Sequence, residues 1–97
     1  MIRAESKGLV LIADDTAESL TMLNEALSTA GYTVLVAMDG MQALNIAERM
    51  APDLILLDAI MPNMDGFEAC KALKDNVDLQ DIPVIFMTGL SDSEHVI

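Results

Sequence analysis

Tryptophan is absent from this 97-residue chain, and its only aromatic side chains are Tyr32, Phe67 and Phe86. A core must therefore be built from Leu, Ile, Val, Ala and eight methionines. We assign the methionines to adaptable core packing, since no pair of them has the spacing of a metal box. The single cysteine, Cys70, excludes an intrachain disulfide and fits a reducing compartment. Basic residues are few: Arg3, Lys7, Arg49, Lys71 and Lys74 stand against sixteen acids, for a formal net charge of -11. That balance argues against nucleic-acid phosphate as a direct ligand and favours a basic partner surface or a cation. No apolar run reaches the ~20 residues a membrane span requires, and the first eight residues lack the apolar centre of a signal peptide. The expectation is a cytoplasmic protein with no membrane or direct nucleic-acid partner.

Four short apolar runs are present instead, each interrupted abruptly. Leu9 to Ala13 ends in Asp14-Asp15, and Thr33 to Ala37 leads to Asp39-Gly40. Leu54 to Leu57 ends in Asp58, and Val84 to Met87 ends in Thr88-Gly89. Unbroken aliphatic runs of this length suit strands covered on both faces, as in a parallel sheet. Between them lie helical patterns. Leu20, Leu23, Leu27 and Ala30 form one stripe, with Gly31 as the C′ residue. Ala43, Leu44, Ala47 and Met50 form a second, closed by Pro52, and Phe67, Cys70 and Leu73 a third over residues 66–75. Residues 75–81 read as a solvated acidic loop, with Arg49, Lys71 and Lys74 as ordinary surface charges. Ser91 and Glu94 have capping-box spacing for another helix. The order β-α-β-α-β-α-β predicts one α/β domain over residues 9–97, with right-handed parallel crossovers, after a flexible leader at residues 1–8.

In a parallel sheet the polar ends of these strands share one rim, where ligands of open α/β sheets bind. Asp14, Asp15 and Asp58 would then repel one another and raise at least one pKa unless a cation intervenes. Carboxylate oxygens select a hard ion such as Mg²⁺, which keeps waters and open positions for a phosphoryl oxygen. A carboxylate can also act as a nucleophile and form an aspartyl phosphate. Blander readings stand beside this one. Asp15 and Glu18 have capping-box spacing, Asp65 suits a helix cap, and Cys70 reads as an inert buried thiol. His95 has no companions for metal ligation. An EF-hand reading of residues 61–72 fails, because Met61 and Ala72 occupy its first and last ligand positions.

Three motifs, Val10 to Asp15, Asp53 to Gly66 and Pro83 to Gly89, together resemble the receiver domains of two-component response regulators. The resemblance covers nearly the whole chain from Leu9. It implies a doubly wound, flavodoxin-like sheet in the order 2-1-3-4, with the fifth strand and fifth helix absent from this chain. It also implies that Asp58 accepts phosphate from a histidine kinase or phosphotransfer protein. Asp15 would bind Mg²⁺ directly, Asp14 mainly through water, and the Ile60 backbone carbonyl would be a further ligand. Thr88 would contact the phosphoryl group and report its arrival to an output domain or effector protein.

The family's lysine on a fifth strand has no counterpart before Ile97, so the expectation is a receiver cut short. That motivates a second reading, in which the chain is an oligomeric interaction module that pairs through the edge of its fourth strand without effective phosphotransfer. An enzymatic reading, a haloacid-dehalogenase-type phosphatase, needs carboxylates two apart after the first strand. Asp14 and Asp15 are adjacent, so only self-directed phosphotransfer and dephosphorylation are expected. In the receiver family the residues two past the acceptor aspartate and two past the switch threonine influence how water attacks the acyl phosphate. Here they are the apolar Ile60 and Leu90, so the resemblance implies slow loss of phosphate once the domain is completed.

Overall fold

The computed structural model of the chain describes residues 6–87; Thr88, Leu90, the helix expected from Ser91, and His95 lie outside them. Four strands, β1 (Leu9–Ala13), β2 (Thr33–Ala37), β3 (Leu54–Asp58) and β4 (Val84–Met87), alternate with α1 (Ala17–Thr29), α2 (Gly40–Met50) and α3 (Gly66–Asp75). The strands pair in the order β2-β1-β3-β4, all parallel. This is the doubly wound arrangement that the sequence and its resemblance imply. No helix among the described residues is long and apolar enough to cross a membrane.

Strand alternation divides the core in two. Leu11, Ala13, Ala37, Ile55 and Leu57 face α2 and α3, where Ala43, Ala47, Ala69 and Leu73 meet them. Small alanines at these helix positions let the helices lie close to the sheet. On the other face Val10 and Ile12 pack with Leu20 of α1, joined by half-buried Leu23, Leu27, Val34, Leu54, Leu56 and Met87. β1 is buried along its whole length, as its central place requires. The β1–β2 register pairs Leu9 with Thr33 and Ala13 with Ala37, and β1–β3 pairs Ala13 with Leu57.

Several side chains depart from the expected pattern. Of the seven methionines described, Met22, Met38, Met41 and Met50 are exposed, and Met61 alone is fully in the core. The aliphatic strand residues and helix alanines already fill the interior, which leaves these methionines on outer positions. Ala30 lies on the surface at the C-cap of α1, beyond the last residue that can reach the sheet. The buried side of α3 is Gly66, Ala69 and Leu73. Phe67, one step of helical rotation away, is therefore 61% exposed and leans on Phe86 of β4, with ring centroids 4.8 Å apart. Cys70 is half-buried beside the core rather than enclosed.

Of the three aspartates of the expected acidic loop, all on the surface, Asp75 ends α3 while Asp78 and Asp81 follow it, and Leu79 between those two is buried. Lys74 holds that loop in place, its Nζ donating to the carbonyls of Gln80 (3.0 Å) and Ile82 (2.9 Å). At the other end, Ser6, Lys7 and Gly8 of the expected leader bond to the start of β2 and the turn before it. Lys7 N–H donates to Gly31 O, Thr33 N–H to Gly8 O and Thr33 Oγ1 to Ser6 Oγ. Gly31 follows the α1 C-cap at φ 105°, as the sequence predicts.

Candidate functional site

The parallel register builds the site. Ala13 lies opposite Leu57, so the next residues along, Asp14 and Asp58, leave neighbouring strands side by side at the carboxyl rim. One oxygen from each of Asp14, Asp15 and Asp58 comes within 4.8 Å of the others. An octahedral Mg²⁺ with oxygens at 2.1 Å spans about 4.2 Å from one ligand to the opposite one. The cluster thus has nearly the span of such an ion's coordination shell. Its donors are all hard carboxylate oxygens, which suits Mg²⁺ and disfavours a soft metal.

Burial differs sharply among the three. Asp14 is 4% exposed, and its backbone N–H continues the sheet by donating to Ala37 O at 3.1 Å. Its Oδ1 accepts from Thr16 N–H at 2.8 Å. Asp15 lies exposed, and Asp58 is intermediate, with Oδ1 accepting a long 3.3 Å bond from Ile60 N–H. Desolvation pushes the Asp58 carboxyl above the usual carboxylate range, and the negative charges of Asp14 and Asp15 push the same way. The Ile60 amide opposes them without prevailing. A cation between the three would relieve this repulsion, so the residues present fit a divalent metal.

Asp15 does not cap α1. The N-cap is Thr16, whose side chain makes no capping bond. By contrast Asp65 caps α3 as expected: its Oδ1 accepts from Glu68 N–H at 2.9 Å, and the Glu68 carboxylate accepts from Asp65 N–H in return. Ile60, expected to offer a backbone carbonyl, sits two residues past Asp58 and is 71% exposed.

Sequence reasoning passed over how the loop between β3 and α3 is held. Asp39 caps α2, its Oδ1 accepting from Gln42 N–H at 2.8 Å. Its Oδ2 accepts from Asn63 Nδ2 at 3.1 Å, across the two loops. Those contacts hold the Asp39 carboxyl below the usual range, the Gln42 amide first and Asn63 next. Gly40 N–H donates to Met64 O at 2.9 Å beside them. The available signal was the repeated Asp-Gly pair, Asp39-Gly40 and Asp65-Gly66, which opens both helices.

The sequence profile of the response regulator receiver domain matches residues 10–97. The response regulator PleD of Caulobacter vibrioides is 44% identical over 81 residues, 84% of this chain. The chain spans 18% of PleD and no more than 35% of the other curated relatives compared with it. The N-terminal domain of a response regulator receiver protein from Methanoculleus marisnigri superposes with a TM-score of 0.83 at 32% identity, covering 86% of this chain and 68% of that one. The receiver domain of a sensor histidine kinase from Pseudomonas aeruginosa, solved with a magnesium ion coordinated in its active-site cleft, gives a TM-score of 0.82 at 29% identity over 89% of this chain and 70% of its own. The motifs at the strand ends, the parallel order of the sheet and these matches agree: the chain belongs to the response regulator receiver domains of two-component systems.

Proposed function

We propose that Asp58 is the phosphoacceptor of this receiver and that Asp14, Asp15, Asp58 and the Ile60 carbonyl hold Mg²⁺ beside it. The convergence of three carboxylates from two strand ends, with Asp58 forced upward in pKa, is the observation that carries this reading. An Asp58 oxygen attacks the phosphorus of a phosphohistidine on a histidine kinase or phosphotransfer protein. The P–O bond forms as the P–N bond breaks, and the imidazole leaves with its electron pair and takes up a proton. Bound Mg²⁺ supplies neutralisation of the charge on the phosphoryl oxygens. Asp14, buried and fixed by the Thr16 amide, presents a rigid wall to the site, while exposed Asp15 is free to turn toward the ion. Thr88 contacts the phosphoryl group and conveys its presence to an output domain or effector, and no substrate is turned over.

Incubation with acetyl phosphate and Mg²⁺ is expected to add one hydroxylamine-labile phosphate per chain at Asp58. Equal incorporation in Asp58→Ala would overturn the assignment. The apolar, exposed Ile60 cannot orient a hydrolytic water, so Ile60→Asn is expected to shorten the lifetime of the acyl phosphate. The four-residue β4 favours a second reading, self-association. It is an edge strand of the described sheet, with Ile85 52% and Phe86 38% exposed. Pairing of two copies along this edge predicts a mass that rises with concentration in light scattering, and a constant monomer mass refutes it.

A further inference from the structure

We infer that Asp39 and Asn63 form a strap that positions the acceptor loop, and through it the Ile60 carbonyl, for the metal. The loop, residues 59–65, leaves the site at Asp58 and must return to start α3. Its base is closed by the Gly66 N–H, which donates to Ala59 O at 3.0 Å. Its far side has two bonds, both to the start of α2: Asn63 Nδ2 to Asp39 Oδ2 at 3.1 Å, and Gly40 N–H to Met64 O at 2.9 Å. Ile60 lies between these anchors.

The contact is close enough to dictate sequence. A Cβ on Gly40 would stand 2.3 Å from Met64 O, so only glycine lets the α2 terminus approach the loop. Asn63 reaches Asp39 from a left-handed backbone, φ 67°, which costs an ordinary side chain but suits Asn. Asp39 uses both carboxylate oxygens at once, one on its own helix and one across the gap. The cap alone would need only the first. The second oxygen ties α2, on which no site residue lies, to the loop that carries one. Asp39 and Asn63 are positioning residues and touch neither metal nor phosphate.

Two variants separate the strap from mere folding. Asn63→Gly keeps the left-handed backbone at no steric cost and removes only the cross-loop bond. Asp39→Ser keeps a good N-cap for α2 and is too short to reach Asn63. The inference rests on the metal-site reading, so Mg²⁺ affinity of the full chain is measured by calorimetry alongside amide hydrogen exchange in chelator. Each variant is expected to weaken Mg²⁺ binding about tenfold, as loss of an outer support commonly does. The double variant should be no weaker than either single one, because one bond is lost in all three. Exchange at the Gly40 and Gly66 amides should quicken in Asn63→Gly while the melting temperature holds. Unchanged exchange at these amides overturns the strap whether or not metal binds. Unchanged affinity in Asn63→Gly, or multiplied losses in the double variant, overturns its role in positioning. Absence of any Mg²⁺ binding by the unaltered chain, with exchange quickened in the variant, overturns the metal-site reading and the positioning role, and leaves the strap as a loop clamp.

Discussion

All three helices begin just after aspartate at the same rim of the sheet, but the aspartates are used in opposite ways. At α2 and α3 the sequence is Asp-Gly: the carboxylate caps the helix, and the glycine lets the chain approach a neighbouring backbone. At α1 the sequence is Asp-Asp-Thr, and the cap residue Thr16 makes no side-chain bond. Asp14 is engaged through one oxygen by the Thr16 amide, and no described residue donates to the side chain of Asp15. A carboxylate satisfied by backbone amides stabilises the fold, whereas one left with open lone pairs beside two other acids is available to a cation. Local sequence thus sorts the aspartates of the rim into structural and chemical ones.

Glycine substitution breaks the comparison most severely. A Cβ on Gly66 would fall 2.2 Å from Asp58 O and 3.0 Å from the Ala59 Cα, both backbone atoms with little room to yield. Gly66→Ala is expected to cost about 3 kcal/mol, at the upper end for overpacking, and to displace the acceptor residue itself. Urea denaturation checks the first effect and phosphate incorporation the second. At the start of α1, by contrast, the N-cap Thr16 makes no side-chain capping bond, and Thr16→Ala is expected to leave stability within about 0.5 kcal/mol.

Aspartate substitution sharpens the contrast at a smaller scale. Asp65→Ala removes the side-chain arm of the capping box, the bond from Glu68 N–H, and should destabilise by about 1 kcal/mol. Asp15→Ala removes no bond from a described residue and relieves repulsion on Asp58, so without metal it should be neutral or slightly stabilising. The same change should weaken Mg²⁺ binding, which Asp65→Ala should not do directly. A loss of stability in Asp15→Ala equal to that in Asp65→Ala would erase the distinction drawn between them. A similar logic applies where α2 ends: Ala51 stands in a left-handed conformation, φ 45°, and Ala51→Gly should stabilise by about 1 kcal/mol in the same denaturation assay.

These contrasts also mark how much was legible in the sequence. The short apolar runs located all four strands, with β3 extending one residue further to take in Asp58, because runs of four or five bounded by turn residues are too short for helices. The gathering of Asp14, Asp15 and Asp58 followed from parallel order alone, since each lies just past or at the end of a strand. Exposure was harder. Phe67 and the outer methionines are apolar, but burial depends on which helix face meets the sheet and how much space the alanines leave. The clamp between Asp39 and Asn63 joins residues 24 apart through one side-chain bond, and no periodicity records it. What composition could show was that Asp-Gly occurs twice before a helix. That the two copies meet the same loop emerges only in three dimensions.

The subtlest effect concerns Asp58 and pH. Its folded carboxyl titrates above its unfolded value, so the folded chain binds the extra proton between the two pKa values. Stability from this group is full below the unfolded value, near 3.9, and declines as pH rises through the folded one. Asp58→Asn removes the titration. In chelator at pH 7 the variant should melt above the unaltered chain, and the gain should vanish below about pH 4. Excess Mg²⁺ should reverse the order, because the ion stabilises only the chain that binds it and Asp58→Asn has lost a ligand. A variant gain that persists at low pH would place its origin in packing. A gain at neutral pH that Mg²⁺ does not reverse would mean that Asp58 contributes repulsion to this rim without contributing to a metal site.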